Sequence, residues 1–474
     1  MRRIGVLVGV CGAWLGLGCG GDDGAPAAES GSSGGQDATT VPLPTAGETG
    51  QPGTTEGDPD TTAAETGMPG DLPPMGVGDC EQLEMLVAEL PDADAAMREA
   101  MVEQFVRDQS YGEHGLPGVE GSTLCVAHLG VPGDELSVAG DFNEWVADEH
   151  PLVEPVPGLG FSYAIVELPA PPQGLYKLVR GGEEFFADPL ARRFGWDEFG
   201  EYSQIDAVPD RSHHERWPGF DQGAGALEPR TVTVYLPAGA LGEAELPVLY
   251  MHDGQNLFSP DAFFGGWRVS ETLDVAIGDG TLAPMVVVGI DNTPARFEEY
   301  TPVTDVIDGM NVVGGQADEY ADFLVDGIKP FVEARYPVSA DPSRVGVMGS
   351  SLGGLVSLYI GLRHRGVFDQ VASMSGTIDW GTFGLDNPTI DELYLDDPPL
   401  GLRVYVDSGG SEGTGCPDGD SDNYCGNVRF ADALRGQGWV DGDDLFYAWD
   451  PGAPHNEAAW ASRLLVALVE WFPQ

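Results

Sequence analysis

Hydrophobic residues are sparse from residue 20 to about residue 78. From there they recur at helical spacing, then at strand spacing, then in alternating strand and helix runs. The sparse stretch is Gly, Thr, Pro, Ser, Ala, Asp and Glu. It cannot bury a core, and its composition predicts a disordered linker over 20–78. Over 79–110, Leu83, Leu86, Val87 and Leu90, then Met97, Met101, Phe105 and Val106, predict a helical segment. Residues 111–208 hold apolar runs at Leu124–Leu129, Leu136–Ala139, Phe161–Leu168 and Tyr176–Val179, separated by turn residues, which predict a small β-sandwich.

From residue 225 to 474 the pattern alternates. Strand-like runs fall at Thr231–Leu236, Pro247–Met251, Met285–Ile290, Arg344–Met348, Gln370–Ser373, Leu402–Val406 and Leu445–Trp449. Helical runs fall between several of them, at Ala317–Tyr336, Gly354–Leu362, Val428–Leu434 and Glu457–Phe472. Apolar strands alternating with helices predict an α/β domain, its mostly parallel sheet covered on both faces. A site in such a domain belongs at the C-terminal ends of the strands.

The N-terminus adds an address. Met1-Arg2-Arg3 is basic, Ile4 to Leu17 is mostly apolar, and the run is too short and glycine-rich to span a bilayer. Leu15-Gly16-Leu17-Gly18-Cys19 resembles a bacterial lipobox, which implies a signal peptide over 1–19 and a lipid on Cys19. Gly20 after that cysteine implies the outer membrane, facing the periplasm or the cell surface. Export permits disulfides. With Cys11 lost and Cys19 lipidated, Cys80, Cys125, Cys416 and Cys425 remain, and local pairing suggests Cys80–Cys125 and Cys416–Cys425 among three possible connectivities. The net charge of −55 repels nucleic acid and anionic headgroups, so membrane contact is expected only through the anchor.

Candidate chemistry centres on Gly349-Ser350-Ser351-Leu352-Gly353, between the apolar run 344–348 and the apolar helix-like run 354–360. A sharp strand-to-helix turn pushes a nucleophilic serine out of the backbone, and glycines two residues either side let strand and helix approach. Two other Gly-x-Ser-x-Gly matches, at Ser33 and Ser411, lack that context. A serine hydroxyl needs a base, and the base an orienting acid. In this chain order the base follows the serine. His455, in the loop before the last helix, fits better than His364. The acid is open between Asp407 and Glu412, at and just beyond the end of the strand run 402–406. Asp418, Asp420 and Asp422 follow; they lack the Gly and terminal Glu of a calcium-binding EF-hand loop and read as a solvated acidic loop. Backbone amides of Leu352 and Gln255 are the expected oxyanion donors. His252 precedes the serine and is expected to hydrogen-bond within its own loop.

His252–Phe258, Gly266-Trp267-Arg268-Val269, Gly289-Ile290-Asp291-Asn292, Glu299-Tyr300-Thr301-Pro302 and Gly349–Gly354 together resemble the putative-esterase branch of the α/β-hydrolases. That branch includes enterochelin, feruloyl and acetylxylan esterases. The resemblance implies Ser351 as nucleophile, His455 as base and Glu412 as acid, with Asp407 as the alternative. Trp267, Arg296 and Tyr300 are candidates to line the substrate pocket. It implies a carboxylic-ester hydrolase that needs no metal or cofactor, acting on a feruloyl or acetyl polysaccharide ester or a siderophore-type ester. Ala139-Gly140-Asp141-Phe142-Asn143-Glu144-Trp145 is similar to immunoglobulin-like early-set modules, some of which bind glycogen. The competing expectation is therefore a glycan-binding surface lipoprotein with an inert hydrolase domain.

Overall fold

A computed structural model describes residues 80–112, 115–206, 211–240, 245–307, 309–399, 401–410 and 421–472. The signal peptide, Cys19, the linker, Glu412, Cys416, Asp418 and Asp420 lie outside the described residues.

The helical segment forms as Glu81–Glu89 and Ala95–Tyr111, the second capped by Asp94, whose carboxylate accepts from the Met97 amide at 2.9 Å. A disulfide joins Cys80 to Cys125, fixing the first helix to the Thr123–Leu129 strand. Strands Gly118–Glu120, Thr123–Leu129 and Phe161–Glu167 make a three-stranded antiparallel sheet. Its inward residues Leu124, Val126, Ala164 and Val166 share one core with Leu136, Val138, Tyr176 and Leu178 of the facing strands Leu136–Gly140 and Leu175–Arg180. Two sheets over one core is the arrangement the alternating pattern requires.

The second of those sheets continues into the α/β region. Strand order from the far edge is Leu445–Trp449, Arg403–Ser408, Gln370–Met374, Val345–Ser350, Val248–His252, Val286–Ile290, Arg230–Leu236 and His213–Phe220, then Arg193–Asp197 and the N-terminal strands. The first six are parallel to one another, and Val286–Ile290 pairs antiparallel with Arg230–Leu236. Side chains alternate between two cores, as strand geometry dictates. Val248, Tyr250, Val345 and Val347 pack on one face with the Leu352–Arg363 and Tyr424–Gly436 helices. Leu249, Met251, Met348 and Met374 pack on the other with Val269–Gly278 and Glu457–Trp471. Both faces are covered, as an all-parallel run of apolar strands requires.

The strand His213–Phe220 was not expected; it falls in the interval between the β and α/β segments. It pairs antiparallel with Arg230–Leu236 on one side and with Arg193–Asp197 on the other. Buried His213, His214 and Glu215 hide it from a hydrophobicity pattern. Glu215 is paired with Arg193 at 2.9 Å and accepts from Tyr336 Oη at 3.0 Å. Here a sheet ladder and a buried ion pair keep a polar strand inside. Among the described residues no helix is long and apolar enough to cross a membrane.

Candidate active site

Ser351 stands where the Val345–Ser350 strand turns into the Leu352–Arg363 helix, at φ 56° and ψ −122°. That backbone conformation is costly for a residue with a side chain and persists only where the surroundings enforce it. A Cβ on Gly349 would meet the Gly353 carbonyl carbon at 2.6 Å, so strand and helix approach closely only because Gly349 lacks a side chain; a Cβ on Gly353 would instead crowd Asp253 Oδ2 at 3.3 Å. The Ser351 amide donates to Met374 O at 3.0 Å, and Ser351 O accepts from the Thr377 amide at 3.1 Å. Its Oγ lies 3.5 Å from Thr377 Oγ1.

His455 lies in the loop after the Leu445–Trp449 strand, one residue before Asn456, which caps the Glu457–Trp471 helix by accepting from the Ala459 amide at 3.1 Å. Its Nδ1 is 2.7 Å from Asp422 Oδ1. A carboxylate only accepts, so Nδ1 carries the proton and Nε2 keeps its lone pair. The imidazole edge packs on Trp460, with ring centroids 4.9 Å apart. The Asp422 side chain is fully buried while that of His455 is 36% exposed, so the pair has a buried acid and an accessible base.

Among the described residues Asp422, and not Asp407, is the carboxylate beside His455; Glu412 lies outside them. Asp407 does end its strand in the expected place, but it is fully buried and held by Arg463, which donates Nε to Oδ2 at 3.0 Å and Nη2 to Oδ1 at 3.2 Å. Tyr405 Oη adds a third donor at 3.1 Å. Burial raises the Asp407 carboxyl despite Arg463. Asp422 is no solvated loop residue either. Its Oδ2 accepts from Ser375 Oγ at 2.7 Å and from the Gly409 amide. The loop is latched to the end of the Gln370–Met374 strand by Asn423 Nδ2 on Ser375 O at 2.8 Å and Asn427 Nδ2 on Gly376 O at 2.9 Å. Cys425 is disulfide-bonded. Among the described residues no group of three His, Cys, Asp or Glu side chains is placed to hold a metal.

Two residues that the sequence did not single out stand between nucleophile and acid. Thr377 touches Ser351. Ser375, at φ 49°, donates to Asp422 and accepts from Trp460 Nε1 at 3.0 Å and Arg463 Nη2 at 2.9 Å. Ser-Gly-Thr after a strand carries no distinguishing mark in one sequence. A serine in the left-handed region is visible only in three dimensions.

Leu352 is the first residue of its helix, where an amide has no intrahelical acceptor. Gln255 sits in the Gly254–Asn256 turn after the Val248–His252 strand. Asp253 shapes that turn. Its carboxylate takes two bonds from Arg296, each 2.7 Å, and one from Asn292 Nδ2 at 2.6 Å. Burial pushes the Asp253 carboxyl up, but Arg296 and Asn292 outweigh it and hold it below its usual range. His252 does not bond within its loop; it is buried and its Nδ1 lies 2.8 Å from Tyr320 Oη. Burial lowers this imidazole to about 3, so it stays neutral. Trp267 and Tyr300 do not line an open pocket: both are buried, Trp267 against Trp460 and Tyr300 with its Oη accepting from the Asp253 amide at 3.2 Å. Arg296 keeps a quarter of its side chain exposed beside the turn.

The family described as "Putative esterase" matches residues 226–471, just over half of the chain. The uncharacterized protein YbbA of Bacillus subtilis is 26% identical over 245 residues, 51% of this chain and 92% of that protein. An iron(III) salmochelin esterase of Escherichia coli is 28% identical over 200 residues, 40% of this chain and 44% of that one. The match thus spans less than half of the siderophore esterase. A solved enterobactin esterase from Shigella flexneri covers 75% of this chain and 96% of its own at 17% identity and a TM-score of 0.42, too loose a likeness to bear on the site.

Proposed function

We propose that this chain, which belongs to the putative esterase family and is an ester hydrolase, works through an acyl-enzyme with Ser351 as nucleophile, His455 as base and Asp422 as the orienting acid. The observation that carries this reading is the 2.7 Å bond from His455 Nδ1 to buried Asp422, at the same sheet end as the strained Ser351 elbow. The strands Val345–Ser350, Gln370–Met374 and Arg403–Ser408 are adjacent and parallel, which brings Ser351, Ser375 and Asp407 to one edge of the sheet.

Ser351 Oγ attacks the ester carbonyl carbon as His455 Nε2 takes its proton. Asp422 holds the ring in the required tautomer and stabilises the imidazolium. The carbonyl oxygen gains negative charge and is met by the amides of Leu352 and Gln255, at the start of a helix and of a one-turn 3-10 segment. The imidazolium then protonates the departing alcohol. Water, deprotonated by the same nitrogen, releases the acid and restores the serine.

The substrate reading is a feruloyl or acetyl polysaccharide ester, or a siderophore-type ester as in the name of the Escherichia coli relative. The acidic surface favours an uncharged ester over a polyanionic one. Export and anchoring through Cys19, with the 20–78 linker as tether, complete the proposal. The decisive experiment is labelling by a fluorophosphonate, located by mass spectrometry. Label on Ser351 that is absent from Ser351→Ala supports the enzyme. An unlabelled chain that still binds glycan supports the inert-domain alternative. A panel of p-nitrophenyl esters, feruloyl sugars and enterobactin then identifies the ester class.

A further inference from the structure

Beside the catalytic acid stands a second buried carboxylate that the reaction above does not use. Asp407 and Asp422 are both fully buried, and both face Arg463, whose side chain is 5% exposed. Arg463 forms its two-pronged pair with Asp407 and leaves Asp422 at 3.6 Å, reaching it through Ser375 Oγ. Two negative charges and one positive charge are therefore sealed together. Among these three side chains the charge is one negative in excess, and a proton on His455 offsets it. In a low-dielectric pocket that difference favours the state in which His455 holds the serine's proton.

We propose that the Arg463–Asp407 pair is a positioning and charge-setting element for the catalytic dyad, acting through Ser375 and Asp422. Arg463 lies between the two neighbouring carboxylates and offsets their mutual repulsion. Asp407 in turn occupies Arg463, so that Asp422 is left to pair with His455 rather than with the guanidinium. The inference rests on the esterase reading above and adds a role for residues that never touch substrate.

The groups facing this cluster come from four directions. The Arg403–Ser408 strand brings Tyr405 and Asp407, and the neighbouring Leu445–Trp449 strand brings Tyr447. The loop before the Tyr424–Gly436 helix brings Asp422, and the Glu457–Trp471 helix with its preceding loop brings His455, Glu457, Arg463 and Glu470. Burial pushes the Asp407 carboxyl up while Arg463 and Tyr405 pull it down and Asp422 pushes it further up, the signature of two like charges sharing one cation.

The sign of the test follows. Removing a positive charge makes every neighbouring site hold its proton to higher pH, and removing a negative charge does the reverse. The rate of Ser351 labelling by a fluorophosphonate, followed against pH in the full-length chain, reads this without knowledge of the substrate. Arg463→Gln is expected to move the acidic limb of the profile up by about one to two pH units. Arg463→Lys should leave it in place. Asp407→Asn should move it down, and the charge-balanced double variant Arg463→Gln/Asp407→Asn should return it close to the wild-type position. A purely structural role predicts lower amplitude with an unmoved limb, and a double variant worse than either single one; that result overturns the proposal. If Arg463→Gln does not fold, Asp407→Asn and the double variant decide alone, and an unmoved limb in Asp407→Asn is enough to sink it. A wild-type chain that takes no label at Ser351 brings down the esterase reading and this proposal together. A labelled chain whose variants share one limb brings down only the proposal.

Discussion

Glu215, on the strand that joins the N-terminal β region to the α/β sheet, and Asp422, ahead of the Tyr424–Gly436 helix, are both fully buried carboxylates with a basic partner. Glu215 faces Arg193, itself buried, and its second oxygen accepts from Tyr336. The ion pair is closed to solvent, and so is His213, whose Nε2 lies 3.8 Å from Glu215 Oε1. Asp422 faces His455, whose ring is more than a third exposed and whose Nδ1 alone is engaged by the carboxylate. Burial is common to both. What separates structure from chemistry is whether the partner can gain a proton and reach a ligand.

The sharpest test of that contrast is Ser351→Ala, which should cut turnover roughly a millionfold while unfolding by urea is unchanged. Next comes Asp422→Asn, expected to lower kcat by about ten-thousandfold because the amide reverses the donor required at His455 Nδ1. Glu412→Gln should leave kcat within a factor of about two; a loss like that of Asp422→Asn would return the acid to Glu412. At the junction the effect should fall on stability. Glu215→Gln leaves Arg193 buried without a counter-charge and should cost about 3–5 kcal/mol in urea unfolding, with kcat of the folded fraction unchanged.

The same residue gives a pH prediction. Burial raises the Glu215 carboxyl, but Arg193 first, with His213 and Arg192, outweighs it and brings it down to about 2. A group depressed in the folded state stabilises the fold above its ordinary value of 4.5, and that stability drains away as pH falls toward 2. Unfolding midpoints measured across that window should fall steeply for the wild type and more gently for Glu215→Gln. The smallest effect is expected at Tyr300→Phe, which removes one acceptor from the Asp253 amide. About 1 kcal/mol of stability should be lost, with KM unchanged if Tyr300 packs rather than contacts substrate.

Much of this was legible in one dimension because its physical cause is local. The Gly349–Gly353 elbow shows in the sequence because close approach of the helix backbone leaves no room for a side chain at Gly349 and the flanking strand and helix are apolar. The expected strands of the α/β region were found within a residue or two for the same reason: both faces are buried, so the runs are continuous. The junction strand was hidden because its buried polar residues break the apolar pattern, and the partners that hold Glu215 there, Arg193 and Tyr336, are 22 and 121 residues away. Trp267 and Tyr300 looked like pocket residues because aromatic and polar types occur in both pockets and cores.

The chain alone therefore determined the strand-to-helix turn at Ser351, the order of serine and histidine, the layered α/β architecture and the strongly acidic composition, all written in spacing and composition. Tertiary structure decided which carboxylate meets His455. Asp407, Glu412 and Asp422 are chemically near-equivalent in sequence. The choice between Asp407 and Asp422 turns on Arg463, on a helix 56 residues beyond Asp407, which occupies one acid and leaves the other to the imidazole.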